Sequence, residues 1–108
     1  MTDPPDGLLT DCQNVAPGQV SPEFLRSQIE VGTKVCRSLA EAREDLGGLR
    51  DTIIRITGEY GLAPIAASSH PFGQWWQQKH TDGVRYNALA AEMQTAARRL
   101  VICGMHVH

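Results

Sequence analysis

The sequence predicts an α+β fold, and three features carry that prediction. Residues 38–61 form one strongly periodic helical segment, opened by a capping box and closed by a glycine. Residues 23–31 and 105–108 alternate apolar and polar side chains with a period of two, as half-buried strands do. The elements run strand, helix, strand, helix, strand, with no internal repeat and no low-complexity tract.

The chain has 108 residues, enough for one small domain. An apolar share of 42% and a charged share of 20% are those of an ordinary globular chain. The net charge of -2, with the signs mixed, argues against a nucleic-acid or membrane partner recognised by bulk charge. No apolar stretch approaches the roughly 20 residues that cross a bilayer. The acidic start, Met-Thr-Asp-Pro-Pro-Asp-Gly, lacks the basic and apolar regions of a secretory signal. Cys12, Cys36 and Cys103 are odd in number and irregular in spacing, so no disulfide framework is expected and a cytoplasmic location is.

Residues 1–22 carry Pro4, Pro5, Pro17 and Pro22, two glycines and little periodicity; they read as a disordered leader. The first strand is expected over Glu23–Val31. Leu25, Ile29 and Val31 share one face with Ser27, and Arg26, Gln28 and Glu30 share the other. That polar face is either solvated or the lining of a site. Ser38 and Glu41 then form the capping box of the first helix. Ala42, Leu46, Leu49, Ile53, Ile56 and Tyr60 make its apolar stripe, and Gly61 its C-terminal cap. Gly47 and Gly48 in its interior cost roughly 1 kcal/mol each relative to alanine. Glu41, Arg43, Glu44, Asp45 and Arg50 read as the solvated face.

A second strand is expected over Leu62–Ala67, with Pro64 favouring an edge position. The loop after it, Ser-Ser-His-Pro-Phe-Gly-Gln-Trp-Trp-Gln-Gln-Lys-His, concentrates aromatic residues, which either line a pocket or plug the sheet. A second helix over Val84–Arg99 carries Tyr86, Leu89, Ala90, Met93, Ala97 and Leu100 on one stripe, and Arg98 and Arg99 suit the negative end of its dipole. In the last strand, Leu100, Val101 and Ile102 are apolar. His106 and His108 beyond them point to one face, Met105 and Val107 to the other. The chain ends on His108 inside this expected strand, so a piece of a larger protein is expected.

Three stretches could converge on chemistry: Gln28 with Glu30, the Ser69-His70-Pro71 turn, and His106 with His108. Carboxylate plus imidazole on neighbouring strands is a donor set for a divalent metal or a phosphate-handling site. A zinc site through Cys103, His106 and His108 is disfavoured, because Cys103 lies an odd number of positions from both histidines and turns to the opposite face. No phosphate-binding P-loop, nucleophile elbow or paired Cys-x-x-Cys is present.

The run Ser-Gln-Ile-Glu-Val-Gly-Thr-Lys-Val-Cys-Arg-Ser-Leu-Ala-Glu-Ala-Arg, the segment Ala-Ala-Ser-Ser-His-Pro-Phe, the pair Arg85-Tyr86 and the ending Ala-Arg-Arg-Leu-Val-Ile-Cys-Gly-Met-His-Val-His resemble the glutamate–cysteine ligase type 2 family. The resemblance covers residues 23–108 and implies an internal or N-terminal part of an ATP-dependent carboxylate–amine ligase. Its fold would be part of a glutamine synthetase-like catalytic domain, an antiparallel sheet with two helices packed on one face. ATP and magnesium are the cofactors it implies. Glutamate, with cysteine or another amine, would be the substrate, joined through an acyl phosphate in the setting of glutathione biosynthesis. Position by position, it makes Glu30, His106 and His108 metal ligands, and places Gln28, His70 and Arg85 toward nucleotide or substrate. Structural roles in loop ordering stand as the alternative for His70 and Arg85.

Two departures from the family pattern matter. The acidic opening strand of the family does not precede Glu23, and the family continues beyond the His-Val-His strand. The 108-residue chain alone is therefore expected to be inactive. A non-catalytic remnant that binds a metal or a partner is the alternative, with an exposed sheet edge favouring homo-oligomers.

Overall fold

The computed structural model describes residues 3–67, 69–70, 73–98 and 103–108. Its elements are α1 (Leu8–Val15), β1 (Val20–Pro22), β2 (Ile29–Val31), α2 (Leu39–Glu59), a short 3-10 turn (Trp75–Gln77) and α3 (Val84–Arg98). The class is α+β, as the sequence predicts. The chain divides into two compact units. One comprises Pro4–Pro22 and Ile29–Pro64, the other Met1–Asp3, Glu23–Gln28 and Ile65–His108.

The first unit is built around α2. Ser38 caps it by accepting a hydrogen bond from the Glu41 N–H at 3.2 Å, and Glu41 accepts one from the Arg37 N–H at 2.7 Å. The carboxylate thus serves the residue before the cap, one step earlier than in the usual box. At the other end Gly61 takes φ +71°. Its N–H bonds to the Gly58 carbonyl at 3.1 Å, and the Leu62 N–H to the Thr57 carbonyl at 3.0 Å. This pair is a Schellman closure, which needs a residue without Cβ at the left-handed position. Leu49, Ile53 and Ile56 are buried along the predicted stripe; Thr57 joins them with its hydroxyl donated to the Ile53 carbonyl at 2.7 Å.

The expected leader is corrected here. Residues 8–22 form α1 and β1, and the prolines that suggested disorder flank these elements or, as Pro22, end one. Leu8, Cys12 and Ala16 recur at steps of four and pack on Leu49, Ile53 and Ile56. Gly7, at φ +91°, turns the chain into α1, and a Cβ there would stand 3.3 Å from the Tyr60 hydroxyl. That hydroxyl donates to the Asp11 carboxylate. β1 and β2 pair antiparallel, Val20 opposite Val31, Ser21 opposite Glu30 and Pro22 opposite Ile29. Asp45, read as solvated, is half-buried and accepts from the Gln19 side chain at 2.9 Å and the Lys34 N–H at 3.0 Å. It ties the loop after β2 to α2.

Among the described residues of the second unit, Phe24 and Leu25 pack with Tyr86, Leu89 and Ala90 of α3. The expected strand Glu23–Val31 is here restricted to Ile29–Val31. Ahead of it, Leu25 pairs with His80 in an isolated antiparallel bridge. The Arg26 N–H to Lys79 carbonyl bond (2.9 Å) and the Thr81 N–H to Phe24 carbonyl bond (2.8 Å) flank that bridge. Pairing with residues 79–81 thus takes the place of a continuous strand. Leu62–Ala67 is not a strand either: Leu62 is used in the helix closure and Ala63–Ala66 are exposed. Residues 103–108 are irregular, with Met105 and Val107 exposed, so alternation there is not accompanied by the burial that holds a strand. Leu100, Val101 and Ile102 lie outside the described residues, as do the side chains of Met93 and Ala97.

Two tests arise directly. A Cβ added at Gly48 meets nothing, so Gly48→Ala is expected to stabilise the first unit by about 1 kcal/mol, read as a raised urea midpoint of the helical signal. The second concerns pH. Burial, with the nearby Asp11 charge, raises the Cys12 thiol above its ordinary 9.0. The hydrogen bond to Asp11 raises the Tyr60 phenol above 10.0. Since the unfolded chain gives up these protons first, this contribution to stability is whole below about pH 9 and is lost as pH climbs through the folded values. Tyr60→Phe should flatten the upper part of that decline in urea titrations; equal slopes in both proteins would contradict the assignment.

Candidate functional site

The residues singled out in the sequence fall in both units. Glu30 lies on β2, exposed, and accepts from the Ser21 hydroxyl across the strand pair at 3.3 Å. Gln28 belongs to the other unit, where its N–H closes a turn onto the Leu25 carbonyl at 3.0 Å. The boundary between the two units thus falls between Gln28 and Glu30.

His70 is half-buried. A Cβ at Gly73 would stand 2.9 Å from the imidazole, so glycine at 73 is what allows the ring to lie where it does. Pro71 and Phe72 lie outside the described residues, as does Ser68. Arg85 is exposed in the first turn of α3. A cation there opposes the helix dipole, by roughly 0.3–1 kcal/mol at a surface. His106 and His108 are exposed, their rings 6.3 Å apart between centroids and within 12° of parallel. The two imidazoles thus stand side by side as the alternation predicts, on irregular backbone.

Among the described residues no three His, Cys, Asp or Glu side chains are grouped to hold a metal ion. The donor set read from the sequence, one carboxylate and two imidazoles, also differs from the all-oxygen shell that magnesium prefers. These residues by themselves do not fit a magnesium site.

The second unit holds a cleft of about 590 Å³, to which Trp76 and the residues after it contribute from the aromatic loop that the sequence offered as either pocket lining or plug. Arg26, Trp76, Gln77, Lys79, His80 and Asp82 are among the residues that line it. His80 stacks on Phe24 (centroids 6.2 Å apart) and its Nε2 meets the Asn87 side-chain oxygen at 2.8 Å. The Asn87 amide nitrogen donates to Asp82 at 2.9 Å. An ionised carboxylate only accepts, so the Asn87 oxygen is the atom left for His80, and Nε2 is the protonated ring nitrogen. The available signal was the Thr81-Asp82-Gly83 turn ahead of α3, with Asn87 one helical turn in.

Among the described residues no helix is long and apolar enough to cross a membrane. The model of the glutamate-cysteine ligase family 2 matches residues 5–108. A relative from Rhodospirillum rubrum is 56% identical over 110 residues, covering 98% of this chain and 28% of that protein. One from Jannaschia is 50% identical over 108 residues, covering 100% of this chain and 29% of the relative. One from Chloroflexus aurantiacus is 43% identical over 90 residues, 83% of this chain and 23% of the relative. Each bears the provisional name glutamate–cysteine ligase 2. The chain therefore spans less than a third of the length of these relatives. No solved structure matches it.

Proposed function

Because this chain belongs to the glutamate–cysteine ligase family 2, we propose that it forms part of an ATP-dependent ligase joining a glutamate-type carboxylate to the amine of cysteine or a similar amino acid. The observation that carries the reading is the family match across residues 5–108, together with a 56% identical relative over nearly the whole chain. In the proposed reaction a carboxylate oxygen attacks the γ-phosphorus of ATP and ADP departs. The amine nitrogen then attacks the acyl carbon, phosphate leaves with the C–O bond electrons, and the nitrogen loses a proton to give the amide. Phosphoryl transfer of this kind depends on positioning and on cations that spread the developing charge.

The residues present contribute to such a reaction in limited ways. Arg85 is an exposed cation in the first turn of α3, where it opposes the helix dipole, and its proposed role is to meet an anionic group of nucleotide or substrate. Gln28 and His70 are proposed to face nucleotide or substrate. Magnesium belongs to the proposal as the counter-ion of ATP. Glu30 is the one carboxylate among the residues named, and no step is assigned to a metal held by Glu30, His106 and His108 alone. A cytoplasmic setting goes with the ATP requirement.

The test is a replacement. The matching stretch of the Rhodospirillum rubrum relative is exchanged for this chain, and ADP release is followed with glutamate and cysteine. Release that depends on both amino acids is expected, at a rate within about tenfold of the parent. An active parent beside a folded but inactive replacement would overturn the reading.

A further inference from the structure

We propose that the outer edge of β2 docks an extended segment of apolar–basic–apolar alternation, which adds to the β1–β2 pair as a third strand with its cation opposite Glu30. The phase of the existing ladder fixes which backbone groups are offered. The Gly32 N–H donates to the Gln19 carbonyl at 2.9 Å, so residues 19 and 32 face each other as a hydrogen-bonded pair. Along the register, Ser21 and Glu30 are the next such pair, while Val20 with Val31 and Pro22 with Ile29 exchange no bonds. Pro22, which has no N–H, stands where the ladder needs none. The N–H and C=O groups of Ile29 and Val31 therefore point away from β1, two donors and two acceptors in one row.

The two edges of the pair differ. On the β1 side the outward Val20 carbonyl already accepts from the Gln13 side chain of α1 at 3.3 Å. On the β2 side, among the described residues, nothing bonds to the outward backbone of Ile29 or Val31. Open ladder groups of this kind are the template for strand addition. Charge then selects the strand. Glu30 is exposed at the centre of β2 and accepts the Ser21 hydroxyl at 3.3 Å through one carboxylate oxygen, which leaves the other for a cation. The first unit as a whole carries eight acidic side chains against five basic ones. A cation directly opposite Glu30 makes a favourable cross-strand pair, whereas a second copy of β2 paired about its centre sets Glu30 against Glu30. One carboxylate thus admits a basic strand and opposes the homo-oligomer that an open edge invites. Ile29 and Val31 pack on the core of the first unit, so apolar residues on either side of the cation would continue that face.

The inference concerns strand recruitment and stands apart from the ligase chemistry. The experiment is fluorescence anisotropy of the 108-residue chain with three labelled peptides. They are Ser-Thr-Val-Lys-Val-Thr-Ser, its counterpart with Glu at the centre, and the Lys peptide N-methylated at both valines. Methylation removes the two N–H groups that would face the Ile29 and Val31 carbonyls. The Lys peptide is expected to bind at least fivefold more tightly than the Glu peptide, and Glu30→Lys is expected to reverse that order. N-methylation is expected to weaken binding at least tenfold. Circular dichroism of α2 checks that the variant folds, and the substituted side chain is exposed. No binding of the Lys peptide by the folded parent, an order unmoved by Glu30→Lys, or equal binding of the methylated peptide would overturn the assignment. Sedimentation equilibrium of the parent is expected to give the mass of a single chain. A dimeric parent that excludes the Lys peptide would put a second copy on this edge, against the assignment.

Discussion

Leu25→Ala is expected to destabilise the second unit by about 2–5 kcal/mol, the range for a large aliphatic side chain removed from a closed core. Leu25 is 1% exposed and shares its small core with Phe24, Tyr86, Leu89 and Ala90. The backbone of Leu25 also bridges to His80, which links core packing to the cleft. Both tryptophans, Trp75 and Trp76, belong to this unit. Their fluorescence therefore follows it alone, and its urea midpoint should fall. An unmoved midpoint would show that Leu25 does not carry the core.

Gly7→Ala is expected to destabilise the first unit by about 2 kcal/mol, opposite in sign to Gly48→Ala. A left-handed backbone costs an ordinary residue roughly 1–2 kcal/mol, and Gly7 sits at φ +91°. The added Cβ would also press on the Tyr60 hydroxyl from 3.3 Å, against a phenol already committed to Asp11. The first turn of α1 and the last turn of α2 would both be disturbed. Thermal unfolding of the two variants beside the parent checks the contrast. Equal shifts of the same sign would show that backbone conformation at position 7 is not the cause.

The α2 segment was legible because its information is local. Ser38, the stripe from Leu49 to Ile56 and Gly61 each act within a few residues and have the predicted role, and Glu41 differs only in serving the Arg37 N–H, one residue before the cap. The position of α3 was legible for the same reason. α1 was missed because Pro4, Pro5 and Pro17 dominate the composition of that stretch, while the stripe Leu8, Cys12, Ala16 is three residues long. Glu23–Gln28 alternates like a strand, yet its hydrogen bonds go to residues 79–81, a pairing that alternation cannot specify. The nearness of His106 and His108 followed from period two. Separation of Gln28 and Glu30 into different units did not, since it depends on where the chain leaves one core for another. Trp76 was legible as a candidate pocket residue from its loop, whereas Arg26 reaches the same cleft only through that long-range pairing.

The pairing of residues 23–27 with 78–81 also bears on the order of folding. Ser27 and Gln78 are 51 positions apart, Glu23 and Thr81 58. Closing a loop of that length costs roughly 1.5 kcal/mol more than closing one of about ten residues, before any contact repays it. α2 carries no such debt, since its bonds join near neighbours. Helix formation should therefore precede this pairing on the way to the native state. In the native state the paired segments should be the first to open. Amide hydrogens of Arg26 and Thr81 should then exchange with solvent well ahead of those from Leu49 to Ile56.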